Sequence, residues 1–536
     1  MRKLWSAGVM PAALALGGAA MTASADGKPT YYAPAPRVVQ TLTTEICVYG
    51  GNAAGIAAAV QASRSGKRVV VLNPAQQIGG LTTGGLSCTD FGNKAGIGGI
   101  SREFYRACGA RYGVAEEWNF EPHVAGEVLS KLASDAGVEV RNGQYVRSVR
   151  MKEGRIASLT TTSGLTVRAG VYIDCSYEGD LMARAGVSYT VGREANTTYG
   201  ETLNGVQLRD KHQFDGDVDP YVRPGNPASG LLPGIDPTPL EPAGTGDRRV
   251  QAYNFRMCLT QHPANRIPFP RPGGYRRGEY ELLARALKID WKYLFGKFDP
   301  IRGDKVDKNN HGSVSTDWIG KNHRYPETGY AERERIFQAH VRYQMGWFWF
   351  LCNDPAVPDE ARARMSLWGL CRDEFQSTGG WPHQLYVREA RRMVSDYVAT
   401  EADCTLKRAP EDSVGLGAYG MDSHNCRRTV VDGAVRNEGD VQVGVSTPYP
   451  VSYRSITPRR GECGNLLVTV CLSASHIAYG SIRMEPVFMI MAQSAALAAT
   501  EALERACTVQ DVPYAALRAK LEATGQVLAW KPQPKR

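Results

Sequence analysis

The chain has 536 residues, with 63 Lys and Arg against 54 Asp and Glu, a net charge of +9. Hydrophobic residues make up 43 % and charged residues 22 %, usage that excludes a disordered, collagen-like or coiled-coil protein and leaves room for more than one domain. A charge this mild, with no long block of one sign, excludes nucleic acid as an expected partner.

The first residues read as an export signal. Arg2 and Lys3 give a basic start, an apolar run extends from Leu4 to Met21, and Ala23-Ser24-Ala25 is a small-residue cleavage site. This predicts a signal peptide over residues 1–25, cut after Ala25, and a periplasmic or secreted protein without stable membrane insertion. Pro11, Gly17 and Gly18 weaken a spanning helix, and no later segment reads as comparably apolar. Residues 26–44 are polar and proline-containing and read as a linker, with the fold opening at Glu45.

Ile46-Cys47-Val48-Tyr49 is a short apolar strand, followed by Gly50-Gly51-Asn52-Ala53-Ala54-Gly55 and an alanine-rich helix to about Ser65. Arg68–Leu72 is a second strand, apolar on both faces. This strand–glycine loop–helix–strand unit has the scale of a dinucleotide-binding βαβ unit. Glycine permits the tight turn and lets backbone N–H groups approach a pyrophosphate at the helix start. Two positions depart from the usual pattern. The middle glycine is Asn52, and the acid expected at the end of the second strand is Asn73, whose amide can still bond a ribose hydroxyl.

Further on, Val124–Ala136 predicts a helix, and Val138–Val140, Tyr145–Val149, Ile156–Thr161 and Val167–Ile173 predict strands of a small antiparallel layer that returns to a parallel sheet. Residues 197 to 326 are rich in Pro, Gly, Arg and Asp and read as loops over a substrate region. Two amphipathic helices are expected next, one through Ile336, His340, Trp347 and Leu351, the other through Tyr386, Ala390, Met393 and Tyr397. In this reading Arg388-Glu389-Ala390-Arg391-Arg392 forms ion pairs on a helix surface, and the aromatic block 347–350 packs in the core. Trp381, outside any apolar stripe, is the better stacking residue. Pro486–Arg505 predicts a final helix, with Pro486 in its first turn.

The twelve cysteines contain no C-x-x-C pair, so neither a zinc site nor a redox dithiol is indicated and no metal is expected. Cys404 and Cys426 lie in polar surroundings and are the pair most suited to a disulfide.

Four motifs carry the chemistry: Gly50–Gly55, the glycine-dense Ile78–Gly85 with Gly98-Gly99 behind it, Tyr172–Asp180, and Ser473–Pro486 leading into the final helix. A glycine-dense run directly after the second strand suits a flavin, whose ring and ribityl chain need close backbone approach. Together with Phe120–His123, Gly379–Pro382, Leu385–Met393 and Ser423-His424, these segments resemble the FAD-dependent oxidoreductase family of two-dinucleotide-binding-domain flavoproteins, some of whose members carry a xanthan lyase label. The resemblance covers roughly residues 45–505. It implies an α/β Rossmann-like FAD-binding domain in two parts, 45–196 and 456–510, around a loop-rich and helical substrate-covering region at 197–455, with a tail at 511–536.

The resemblance further implies a non-covalent FAD, with its pyrophosphate on Gly51–Gly55, ribose near Asn73 and adenine near Val146. The isoalloxazine would lie between the Gly98-Gly99 region and the segment up to Pro486. The expected cofactor residues are Gly50, Gly51, Asn52, Ala53, Ala54, Gly55, Asn73, Gly79, Gly80, Leu81, Gly98, Gly99, Val146, Asp174, Ser481 and Pro486. For catalysis, His476 and His424 are the expected proton-handling groups, and Arg454 and Arg483 the groups that hold an anion or stabilise developing charge. The expected function is an exported FAD-dependent oxidoreductase that passes a hydride between flavin and a small organic substrate, with a sugar-derived alcohol as the leading class and an unidentified electron acceptor. A fumarate-reductase-like enzyme acting on a carboxylate is the alternative. A polysaccharide lyase and a non-catalytic flavin carrier are the readings from other classes.

Overall fold

A computed structural model describes residues 27–531. The expected export segment and its cleavage site, and the last five residues of the tail, lie outside this range. The central sheet is α/β in character. Its strands are β1 (Gln40–Tyr49), β2 (Val69–Leu72), β3 (Glu139–Arg141), β4 (Val146–Lys152), β5 (Arg155–Thr161) and β6 (Leu165–Asp174). The order is β3-β2-β1-β6 in parallel, continued by β5 and β4 in antiparallel. The edge of β6 away from β1 is shared between two neighbours. Its first half pairs with β5, while Tyr172–Asp174 pairs in parallel with Leu466–Val468, which returns 292 residues later to complete the sheet.

Between β1 and β2 runs α1 (Ala53–Arg64), buried from Ala53 to Ala62 because alanine and glycine let the final helix, Glu485–Glu504, approach closely. Gln493 Nε2 donates to Gln61 Oε1 across that contact at 2.9 Å. The final helix is long and apolar enough to cross a membrane, yet 94 % of its apolar window is buried inside the protein, so its composition reflects core packing. Helices α2 (Gly99–Arg111) and α3 (Pro122–Asp135) cover the same face.

The covering region has its own core. A five-stranded antiparallel sheet, in the order Phe298–Ile301, Lys305–Lys308, Met257–Thr260, Gly369–Cys371, Arg266–Ile267, packs with the helix Tyr330–Asn353. Of the aromatic block expected in the core, Trp347, Phe348 and Phe350 are buried there, while Trp349 is only half-buried.

Several expectations need correction. The segment 382–391 is irregular and only Arg392–Met393 is strand, so the second predicted helix does not exist. Its apolar residues coincide with helical spacing, but its charges are buried rather than on a surface. Arg388, Glu389 and Arg392 have fully buried side chains, paired with Asp317, with His476, and with Glu194 and Glu389. Propensity lost to tertiary charge pairing. Strand β1 opens at Gln40, six residues before the expected start at Ile46, because Gln40–Thr44 pair with Leu165–Ala169. Within the expected linker, residues 29–38 are tied to the fold by hydrogen bonds, among them Ala35 N to Gly143 O and Val38 N to Ser163 O, while Val39 is fully exposed. The tail carries the helix Tyr514–Ala523, with Leu517 and Leu521 buried. Trp381 is buried against Phe255 instead of facing an open cleft. Cys404 and Cys426 are unbonded and buried; the sulfurs that meet are those of Cys258 and Cys371, 3.6 Å apart across neighbouring strands.

A methyl group at Gly55 would lie 1.8 Å from the Gly50 carbonyl oxygen. Gly55→Ala is therefore expected to push α1 away from β1 and lower unfolding stability by about 3 kcal/mol, measured as a shift in denaturant midpoint.

Candidate functional site

The loop between β1 and α1 is built for an anion. Gly50 turns the chain at φ +105, where an added Cβ would lie 2.8 Å from the Cys175 carbonyl carbon. Asn52 caps α1: its Oδ1 accepts from Gly55 N at 2.9 Å and its Nδ2 donates to Cys175 O at 2.6 Å. That is the work of the residue that replaces the middle glycine. The amide of Ala54 is buried and donates to no acceptor among the described residues, while that of Ala53 lies on the parallel bridge between Asn52 and Gly79. An unpaired amide at a helix start complements a pyrophosphate.

Asn73 braces the same loop. Its Oδ1 accepts from Gly51 N at 3.2 Å, and its Nδ2 donates to Gln77 O at 3.0 Å and Asn142 Oδ1 at 2.9 Å. A carboxylate could not make the two donations, which accounts for an amide where an acid is usual. One acceptor lone pair remains for a ribose hydroxyl. The cleft over this loop is lined by Gly50–Asn52, Asn73, Gly80, Tyr145, Ser176 and Tyr177, among others. Gly79 N bonds Gly51 O at 2.7 Å and Leu81 N bonds Tyr177 Oη at 2.9 Å, so the second glycine run folds back onto the first. The residues present fit a dinucleotide: glycine-lined backbone and the spare Asn73 acceptor share one cleft at the start of α1, whose Ala54 amide is unpaired among the described residues.

Other expected cofactor residues are placed differently. Asp174 closes a turn, accepting from Ser176 N and Oγ and from Met182 N, and burial pushes its carboxyl up to about 6. Val146 sits behind the wall. Its N–H donates to Tyr49 Oη and its C=O accepts from Tyr330 Oη, while Tyr145 faces the cleft. Gly98 and Gly99 open on an outer groove beside Gly525 and Gln493. Ser481 bonds Tyr419 O and Tyr449 Oη, and the Pro486 carbonyl accepts from Ser101 Oγ.

A second cleft lies beyond the final helix's N-terminus. His383 and Gln384 line the first cleft and Tyr386 the second, so one short segment borders both. Arg483 and Glu485 flank the helix start in the same manner. Glu485 accepts from Thr82 Oγ1 at 2.7 Å and Tyr177 Oη at 2.8 Å on the nucleotide side. Arg483 donates to Tyr386 Oη at 2.7 Å and to Asp422 O at 3.0 Å on the other. In the second cleft His424 Nδ1 meets Asp317 Oδ2 at 3.0 Å, and Asp317 pairs with Arg388 at 2.8 Å. Asp317 is held below the usual carboxylate range: burial opposes its charge, but Arg388 and His424 outweigh it. An ionised Asp317 only accepts, so the His424 proton sits on Nδ1 and Nε2 keeps its lone pair. Burial, followed by the Arg388 charge, pushes His424 down to about 3, so the ring is neutral near pH 7. Its Nε2 has no hydrogen-bond partner among the described residues and lies 3.9 Å from Asp422 Oδ1. Burial raises Asp422 to about 6 despite Arg483.

Of the four expected catalytic residues, the structure brings His424 and Arg483 together. His476 is buried against Glu389 at 2.8 Å and lines neither cleft. Arg454 is half-exposed in a pair with Asp412. The reading missed Asp317, Tyr386, Asp422 and Glu485. Only Glu485 had a local signal, an acid directly before the proline that opens a helix.

Residues 45–521 match the family described as FAD dependent oxidoreductase, and the chain belongs to it. No curated protein matches the chain. Solved structures similar in part include L-proline dehydrogenase from P. horikoshii, 14 % identical over 30 % of this chain and 59 % of that chain, TM-score 0.23. L-amino acid deaminase from Proteus vulgaris is 13 % identical over 30 % and 55 %, TM-score 0.23. Thioredoxin reductase from T. acidophilum is 24 % identical over 25 % and 34 %, TM-score 0.17. This chain thus spans less than two thirds of each of these proteins. FAD is the family's cofactor, and the first cleft holds the residues that would bind it.

Burial raises Glu485 to about 7, above its ordinary 4.5. Its contribution to stability is present below pH 4.5 and is lost as pH rises through 7, because the folded state must then bury the charge. Glu485→Gln is expected to remove that loss, gaining on the order of 3 kcal/mol relative to the parent between pH 5 and pH 8 in denaturant titrations.

Proposed function

We propose that this protein is an exported enzyme that oxidises a hydroxyl-bearing carbon of a small polar molecule of the sugar-alcohol type, in the cleft between Tyr386 and His424. The observation that carries this reading is the Asp317–His424 pair, with Nε2 free beside the cleft. Asn309, Asn310 and Gln442 line the same space and offer both donors and acceptors, which suits a ligand rich in hydroxyl groups. The N-terminal basic and apolar segment with its small-residue cleavage site supports export.

Bound FAD supplies a two-electron hydride acceptor. The protein's own residues handle the substrate and its proton. His424 Nε2 accepts the hydroxyl proton, and the imidazolium so formed is stabilised by Asp317, with Arg388 holding that carboxylate in place. Tyr386 Oη accepts from Arg483, which leaves its O–H free to donate to the substrate oxygen. Arg483, buried beside the helix start, favours negative charge developing on that oxygen.

His424→Asn keeps the bulk but removes the base. Anaerobic flavin bleaching by substrate should slow by about 10²–10⁴-fold while FAD content is unchanged. If a panel of sugars and polyols leaves both the flavin oxidised and an artificial acceptor unreduced, the substrate class is wrong. Protein recovered from outside the cytoplasm is expected to begin at Asp26, read by terminal sequencing.

A further inference from the structure

Residues 29–35 cross the mouth of the nucleotide cleft. Thr30 and Tyr31 line it opposite Gly50–Asn52 and Asn73. Nothing in the composition of this stretch marks it as part of a site, and a passive linker would carry no such set of anchors. Two consecutive amides, those of Tyr31 and Tyr32, donate to one carboxylate oxygen of Glu334 at 2.8 and 2.7 Å. Gln338 Nε2 donates to Pro29 O at 2.9 Å, and Tyr32 stacks on Tyr330 with ring centres 5.5 Å apart. All three partners belong to the helix Tyr330–Asn353 of the covering region.

The other side of the stretch is tied to the dinucleotide-binding region. Gln76 Nε2 donates to Ala33 O at 2.6 Å, Ala33 N donates to Tyr145 Oη at 3.2 Å, and Ala35 N donates to Gly143 O at 2.9 Å. Tyr31 itself is fixed by both regions. Its ring meets Tyr145 and Tyr325 edge-on, its hydroxyl accepts from Arg333 at 3.2 Å, and its carbonyl accepts from Tyr145 Oη. The chain thus forms a bridge over the cleft, with one aromatic side chain on the inner wall.

We propose that residues 29–35 are a strap that closes the nucleotide cleft, and that Tyr31 is a cofactor-retaining residue whose seat depends on the Glu334 anchor. FAD then enters and leaves with the strap lifted, and the glycine loop alone does not set its residence time. The proposal rests on the cleft and its fit to FAD, and is independent of the substrate.

The test uses the full chain loaded with FAD, following release by the recovery of free-flavin fluorescence after dilution. Glu334→Ala, which touches no residue of the glycine loop, and Tyr31→Ala are each expected to release FAD on the order of tenfold faster. Tyr31→Phe, which keeps the ring and loses only the Arg333 bond, should stay near the parent rate. Hydrogen exchange gives a readout that needs no variant: the amides of residues 30–35 should exchange more slowly when FAD is bound. Unchanged release rates in both alanine variants overturn the proposal. So does equal exchange of residues 30–35 with and without FAD. An equal drop in melting temperature of the apo and loaded alanine variants, with release unchanged, also overturns it and leaves the segment a staple between the two regions.

Discussion

The junction between the two regions depends on charges taken wholly out of water. Along a few residues of irregular chain, Arg388 holds Asp317, Glu389 holds His476 and Arg392, Arg391 holds Asp180, and Arg392 also holds Glu194. Removing one member of such a buried pair leaves an uncompensated charge and costs about 3–5 kcal/mol, so the segment has little freedom to move. It also serves both clefts. Asp180, which Arg391 and Arg333 neutralise, lies on the nucleotide side, and Asp317 orients His424 on the other. Tyr386 sits just before these residues and is carried into the second cleft by them.

The dinucleotide-binding part was legible in the sequence because its physics is local. A strand buried on both faces must be continuously apolar, a tight turn onto a helix needs glycine, and a helix packed closely against another needs alanine; Ile46–Tyr49, Gly50–Gly55 and Ala53–Ala62 each satisfy one of these conditions. The family's segments then supplied the closing strand and final helix. The segment 386–397 was misread for the opposite reason. Its apolar spacing suits a helix, but what decides its shape is the position of carboxylates and carbonyls from residues 180, 194, 252 and 317, which no local pattern contains.

The same distinction runs through the site. His424 and Arg483 were identifiable as polar residues near matching segments, yet what separates His424 from His476 is their surroundings. Both meet a carboxylate through Nδ1, but only His424 borders an open cleft. Asp317 is separated from His424 by 107 positions and Tyr386 from Arg483 by 97, so neither pairing has a sequence signature. The two asparagines that replace expected residues were visible as departures. Their meaning needed the partners: Asn52 caps the helix and binds Cys175, and Asn73 donates twice where an acid could only accept.

The bridge formed by residues 29–35 has a consequence for the order of assembly. Tyr31 and its carboxylate anchor are 303 positions apart, so almost two thirds of the chain must exist before the contact can form. Contacts of such long sequence separation form late, since the entropy of closing the intervening loop is lost before the contact repays it. The central strands β1 and β2 and helix α1 are neighbours in sequence and can be in place well before then. The glycine loop of the nucleotide cleft thus closes over far shorter loops than its cover does, while Phe337, His383 and Gln384 complete its wall from residues beyond the anchor.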